Sequence, residues 1–333
     1  MRPLHRLSTR LLVVFFGITL FWGCASAPRN EPRSAPQPEL LEEAEERIER
    51  GASEGSGSDP LPEKADAEAR PSFLYRIEGG LSDSYLLGTI HLGVGFYENL
   101  GPEALEQIGT SRVIYTELSS DPDTAEIAAQ FFLGEGAELR ALLGEARFER
   151  LASRVSSLPR EYLNRLKPWA ALVFASVQEY QQYQLQIGGD PSVSMDTELQ
   201  AFAKERGIPN VGLETAKEQL DAFEAIALAE VIALVDELVD RPLFEEARAL
   251  LEAYRSGDEA ALLEALDMER SRERAPAYYE KLLRARNHRW LETLGPELKE
   301  GAITVGVGAA HLFYEDGLIK LIEDAGYNVV KLP

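Results

Sequence analysis

Hydrophobic and polar positions change rhythm more than once along the 333-residue chain. From about Ser72 the alternation has the two-residue period of half-buried strands. Phe73-Leu-Tyr-Arg-Ile77 and Tyr85-Leu-Leu-Gly-Thr-Ile90, separated by Gly79, Gly80, Ser82 and Asp83, predict a β-hairpin. A helix over about Pro102 to Gln107 leads to a third strand, Arg112-Val-Ile-Tyr-Thr116. Asp121-Pro-Asp-Thr-Ala then has the composition of a helix start. The period becomes helical as far as Arg206. Leu139, Leu142, Leu143, Phe148 and Leu151 mark one apolar face, and Leu166, Trp169, Leu172, Val173 and Val177 mark another. Gly188 and Gly189 interrupt this pattern, and Gly207 stops a helix carrying Leu199, Phe202 and Ala203. Ile208-Pro-Asn-Val-Gly-Leu213 predicts a short strand ending at Glu214. Helices follow from Lys217 to Arg289, with Pro242, Gly257 and Pro276 as the only punctuation. A strand over Ile303 to Val307, a helix over Gly317 to Ala325 and a terminal strand over Tyr327 to Lys331 complete the chain. The layout is α/β: a mixed β-sheet with an N-terminal β-hairpin and long helical crossovers.

Residues 1–71 follow neither rhythm. Arg2, Arg6 and Arg10 precede an apolar run from Leu11 to Trp22. At about a dozen residues the run is too short to span a bilayer and has the length of a signal-peptide core. It ends at Gly23-Cys24, the only cysteine of the chain. Residues 1–23 resemble a lipoprotein signal, with a lipid on Cys24 as the mature N-terminus; a plain secretory signal with an incidental cysteine is the other reading. Residues 24–71 are rich in Pro, Glu, Ser and Gly and have almost no large apolar side chains, the composition of a disordered tether. Such a tether would give a folded domain over 72–333 a reach of roughly 40 Å. Ala25 after Cys24 fits outer-membrane sorting in a host that has an outer membrane, so the expected location is the cell envelope.

Charge narrows the partners. The chain has 34 basic and 56 acidic side chains, a net −22, and loss of the three leader arginines leaves 31 against 56, a net −25. Nucleic acid and anionic lipid headgroups would repel such a surface. A covalent lipid, not a basic patch, would have to hold the protein to a membrane. One cysteine excludes a disulfide within the chain, so stability must come from an apolar core.

Candidate chemistry centres on two of the four histidines. His91 ends Gly88-Thr-Ile-His91-Leu and His311 ends Gly308-Ala-Ala-His311-Leu, so a Gly-x-x-His-Leu phrase occurs twice, each time after a predicted strand. Glu117 and Glu214 also follow strands, and the carboxyl ends of strands are where open α/β sheets bind ligands. Two imidazoles and one or two carboxylates at that address suit a divalent transition metal (Mn, Co or Zn) with positions open for water or substrate. Small residues before each histidine (Gly88, Gly306, Gly308, Ala309 and Ala310) would let backbones approach closely. Each residue also has a structural reading. The histidines could be hydrogen-bonded strand ends, Glu117 a loop cap, and Glu214 a charge favoured at a helix N-terminus. His288 lies among arginines in a helix and fits a solvated face.

These phrases together resemble the TraB/GumN family, which also contains the TIKI proteins, metal-dependent proteases that inactivate Wnt ligands. The matching segments are Tyr85-Leu-Leu-Gly-Thr-Ile-His91, Thr116-Glu117-Leu118, Val211-Gly-Leu-Glu-Thr-Ala-Lys-Glu-Gln219, Arg286-Asn287 and Val307-Gly-Ala-Ala-His311-Leu, with Asp196 a further match. The resemblance implies a metal held by His91, His311 and Glu117. It further implies a hydrolase acting on a peptide or protein substrate. Glu214 is then a candidate proton acceptor and Arg286, beside Asn287, a candidate oxyanion donor. His-Glu-x-x-His is absent, which argues against a zincin, and the Gly-x-Ser-x-Gly run Gly51-Ala-Ser-Glu-Gly55 lies in the tether and follows no predicted strand, which argues against a nucleophile elbow. A non-catalytic protein that captures a peptide, a metal or haem on the same fold is the alternative.

Overall fold

The computed structural model describes residues 72–119, 127, 129–155 and 157–333. The signal-like segment 1–23, Cys24, the tether 24–71 and the helix start at Asp121 lie outside the described residues.

Six strands form one sheet: β1 (Leu74–Glu78), β2 (Ser84–Thr89), β3 (Val113–Thr116), β4 (Asn210–Gly212), β5 (Ile303–Gly308) and β6 (Asn328–Lys331). Their order is β4-β3-β5-β2-β1-β6. The pairs β4/β3, β3/β5 and β5/β2 are parallel, while β1 pairs antiparallel with both β2 and β6. The sheet is therefore mixed, with the expected hairpin at one side and a four-stranded parallel half at the other. Strand β5, Ile-Thr-Val-Gly-Val-Gly, is buried at every position, as a central strand covered on both faces must be. Strand β4 has three residues and a partly exposed pattern, consistent with an edge.

The crossovers are helical. Helix α1 (Pro102–Gly109) joins β2 to β3, and α2 (Pro168–Gln186) and α3 (Met195–Glu205) lie between β3 and β4. Helix α2 opens with Pro168, whose missing N–H costs nothing at a first helical position, and buries Trp169, Leu172, Val173 and Tyr180. Between β4 and β5 run α4 (Ala216–Glu224), α5 (Leu228–Asp240), α6 (Glu245–Ser256) and finally α7 (Ala285–Glu300). Helix α4 starts in a capping box. Thr215 accepts from the Glu218 N–H at 3.2 Å, and the Glu218 carboxylate accepts from the Thr215 N–H at 2.8 Å. Helix α8 (Leu318–Asp324) leads to β6. Predicted element ends fall within a few residues of these, apart from the last crossover helix, which runs on past Arg289 to Glu300. One feature has no counterpart in the sequence pattern: a π-helical turn, Glu280–Arg284, runs directly into α7. Among the described residues no helix is long and apolar enough to cross a membrane.

Candidate functional site

Register delivers the side chains. Thr89 of β2 pairs with Gly308 of β5, Thr116 of β3 with Gly306, and Thr116 with Gly212 of β4. His91, Glu117, Glu214 and His311 thus leave the carboxyl ends of four adjacent parallel strands. The pairing runs on past β3 and β4: the Leu213 N–H donates to the Thr116 carbonyl at 2.8 Å, and the Glu214 N–H to that of Glu117 at 3.1 Å. Glycine lets the two histidine phrases touch. A Cβ on Gly88 would lie 2.8 Å from Leu312 Cδ2 and 3.3 Å from Ala309 Cα, both in the second phrase. On the sheet's other flank, a Cβ on Gly306 would lie 2.4 Å from Leu199 Cδ2 of α3.

The two imidazoles face one carboxylate oxygen. His91 Nε2 is 4.0 Å and His311 Nε2 is 3.8 Å from Glu117 Oε1, which also accepts from the Gly308 N–H at 2.9 Å. Each ring is held from behind at Nδ1. For His91 the partner is Asp196 Oδ2, at 2.6 Å, in the first turn of α3; the other oxygen of Asp196 accepts from Thr89 Oγ1 at 2.8 Å. For His311 it is Asn287 Oδ1, at 2.5 Å. The Asn287 amide donates to the carbonyls of His311 and Asp316 at 3.2 and 2.7 Å, which turns its oxygen toward the ring. His311 is therefore the donor at Nδ1 and carries its lone pair at Nε2.

Similar surroundings give the two rings opposite tendencies. Burial pushes the His91 pKa down, but the Asp196 carboxylate and its hydrogen bond, helped by Glu117, outweigh this and hold it above the usual value. His311 is pushed well below the usual value by burial, by the Arg286 charge and by His91. Burial raises the Glu117 carboxyl, against the pull of Arg286 and His91. All these groups are almost completely shielded from solvent.

Arg286 lies among them, with a side chain that is fully buried. It is the second residue of α7, just past the π-turn. One extra residue in such a turn rotates everything after it by roughly 100°, and here Arg286, Asn287 and Trp290 are all turned inward. Its Nε donates to both oxygens of Glu214 at 3.0 and 3.1 Å, and its Nη2 donates to Glu117 Oε2 at 2.6 Å and Glu214 Oε1 at 2.5 Å. Its Nη1 donates to the Leu282 carbonyl, inside the π-turn, at 2.9 Å and meets His311 Nε2 at 3.1 Å. Burial opposes the charge, but the carboxylates of Glu214 and Glu117 outweigh it. Trp290 backs the group, with Arg286 Cζ 4.6 Å and the His311 ring 4.5 Å from its ring centre.

The donors suit a divalent ion in kind. His91 Nε2 is buried and has no hydrogen-bond partner among the described residues, an orphaned polar atom of the kind that calls for an explanation. Metal-bound histidines characteristically tie their second nitrogen to a carboxylate or carbonyl, as both rings do here. The set is somewhat open: tetrahedral ligands at ~2.1 Å from an ion lie about 3.4 Å apart, shorter than the 3.8 and 4.0 Å seen here. Accordingly, among the described residues no three histidine, cysteine or carboxylate groups are gathered closely enough to hold an ion as they stand.

A model of the TraB/PrgY/gumN family matches residues 73–331, all but the ends of the folded region. The chain belongs to the TraB/PrgY/gumN family. Among curated proteins and among solved structures it has no match. The match covers all six strands of this TraB/PrgY/gumN chain and every residue of the site.

The structure brings together all six residues singled out in the sequence. His91, Glu117 and His311 meet directly, Arg286 joins them, and Asn287 stands behind His311. Glu214, expected as a proton acceptor, is enclosed instead: Arg286, Arg289 at 2.7 Å and Gln219 at 3.3 Å fill its lone-pair directions. His288 lies on a half-exposed face, 3.6 Å from Asp316. Sequence reasoning assigned no role to Asp196, Arg289, Gln219 or Trp290. Asp196 and Gln219 do fall in the matched phrases, but Arg289 and Trp290 carry no motif signal.

Proposed function

We propose that this TraB/PrgY/gumN protein is a hydrolase of amide or ester bonds, with peptides as its substrates. A divalent ion would be held by His91 Nε2, His311 Nε2 and Glu117 Oε1. The observation that carries this reading is that two imidazoles from distant parts of the chain aim their Nε2 atoms at one carboxylate oxygen. Such an ion, when bound, supplies Lewis-acid polarisation of a carbonyl and acidifies water toward neutrality.

The chain's own residues do the rest. Asp196 and Asn287 orient the rings and fix which nitrogen carries the hydrogen, so both are positioning residues. Arg286 supplies a fixed positive charge beside the place where negative charge would develop on the substrate oxygen. Glu214 holds that guanidinium and is itself held by Arg289 and Gln219, and no proton transfer is assigned to Glu214. Trp290 and the surrounding core exclude water, which strengthens every charge interaction in the site. We also propose that the protein is exported and tethered to the cell envelope by a lipid on Cys24. Support comes from the basic leader, the short apolar run and Gly23-Cys24.

The test is to incubate the purified full-length chain with a broad peptide library and Mn²⁺, Co²⁺ or Zn²⁺, and to follow products by mass spectrometry. Metal-dependent cleavage that disappears in His311→Ala and His91→Ala is the expected result. Saturable peptide binding that survives a chelator and yields no product would replace hydrolysis by capture.

A further inference from the structure

Asn287 supports His311 only while its carboxamide keeps one orientation, because a flip would exchange the acceptor facing the ring for a donor. Two carbonyls hold the amide end: that of His311 itself at 3.2 Å and, more closely, that of Asp316 at 2.7 Å. The nearer one belongs to the loop 312–317, whose backbone is strained. Tyr314 has a φ of +69°, in the left-handed region that side chains other than glycine's disfavour. A residue persists there only where its surroundings over-determine it.

Two side chains supply that hold. Tyr314 donates its hydroxyl to the Leu263 carbonyl at 3.2 Å. Asp316 takes its partners from the helical segment that carries Asn287. Its Oδ2 accepts from the Tyr279 hydroxyl at 3.3 Å, its Oδ1 accepts from Arg284 Nε at 3.2 Å, and His288 Nε2 lies 3.6 Å from Oδ1. Tyr279 and Arg284 are five positions apart, which on an α-helix turns two side chains about 140° away from each other. The π-turn at Glu280–Arg284 closes at five residues and brings them round to one side, where a single carboxylate reaches both. We propose that Asp316 is a positioning residue for His311: its carboxylate pins the loop to the π-turn, so that its carbonyl fixes the Asn287 amide and the Asn287 oxygen holds the ring at Nδ1.

Other bonds of the loop do not replace this one. The Gly317 N–H donates to the Tyr314 carbonyl at 3.0 Å and the Ile319 N–H to that of Leu312 at 3.1 Å, which closes the loop on itself without attaching it to α7. Without the Asp316 carboxylate the strained backbone is free to relax, its carbonyl draws away from Asn287, and the 2.5 Å bond to the ring loses its alignment. Arg286 Nη1 faces the other ring nitrogen at 3.1 Å, so the disturbance falls on the Nδ1 side and the tautomer stays as it is. The ring needs this support whatever Nε2 goes on to bind, so Asp316 has the role with or without a metal ion.

NMR of the full-length chain labelled with ¹⁵N-histidine tests this, since four histidines give few signals. In wild type the buried His311 Nδ1–H should be a downfield, slowly exchanging proton. Asp316→Ala should speed its exchange with water about tenfold or more and move it upfield, while the far-ultraviolet circular dichroism stays native. Glu315→Ala, at the exposed neighbouring position, should leave it unmoved. If Asp316→Ala does not fold, Tyr279→Phe combined with Arg284→Ala removes the same contacts from the helix side and should give the same change. An unprotected proton in wild type, an unchanged His311 signal in the variant, or an equal change in Glu315→Ala overturns the assignment. A lower unfolding temperature with the imidazole signal unmoved overturns it too and makes Asp316 a purely structural anchor. Absence of peptide cleavage by wild type would sink the hydrolase reading and leave these signals as they are, so the two fail separately.

Discussion

Buried carboxylates differ in what they can still accept, and the three in this site divide the work accordingly. Glu214 has its lone-pair directions filled by Arg286, Arg289 and Gln219. Its removal as an anion would leave Arg286 underpaired in the core, so Glu214→Gln should cost about 3–5 kcal/mol of stability, the range for breaking a buried ion pair. Chemical denaturation would show this; a variant of unchanged stability that has lost only its turnover would instead make Glu214 the proton acceptor. Asp196 acts through His91, to which its Oδ2 is bound at 2.6 Å. Replacing it with Ala should weaken Zn²⁺ binding by about 10–100-fold, as loss of an outer-shell partner does, while the far-ultraviolet circular dichroism stays native. Arg286 was legible as a candidate, but its central position was not. Its mention beside Asn287 in a matched phrase gives no hint that one guanidinium joins three other members of the site.

At the scale of elements, the strands were legible and the reasons are physical. Most are β-branched or apolar runs, and four of them have a histidine or glutamate within three residues beyond the end. The repeated Gly-x-x-His phrase marked two of those ends as alike, and β2 and β5 do lie side by side in parallel, with the phrases offset by one residue so that Thr89 faces Gly308. What the pattern could not carry was helix phase. The π-turn at Glu280–Arg284 adds one residue within an unbroken helical rhythm, and no spacing of apolar positions announced it. The role of Asp196, a match with no function attached, was equally hidden, because it sits in a helix and its partner is 105 positions away. The Gly88 contact can be tested directly. Gly88→Val would push its side chain into Leu312 and Ala309, so overpacking should destabilise the protein by about 1–3 kcal/mol. A denaturation midpoint equal to wild type would mean that the two histidine phrases have room to spare.

Across the whole molecule, strong negative charge and a proposed lipid on Cys24 make one joint prediction. Cys24→Ser should move the protein from the membrane fraction to the soluble fraction, since a surface with a net charge of −22 over the full chain has no electrostatic hold on anionic lipid. Membrane retention of a variant without lipid would count against the anchor. The sheet order has another consequence. Strand β5 lies between β3 and β2, although it is made almost last and they are made early. Until it arrives, β2 and β3 have no common neighbour, and the first imidazole waits for a second one 220 positions downstream. A nascent chain thus has no assembled centre: the four strand ends come together only after the last crossover has docked.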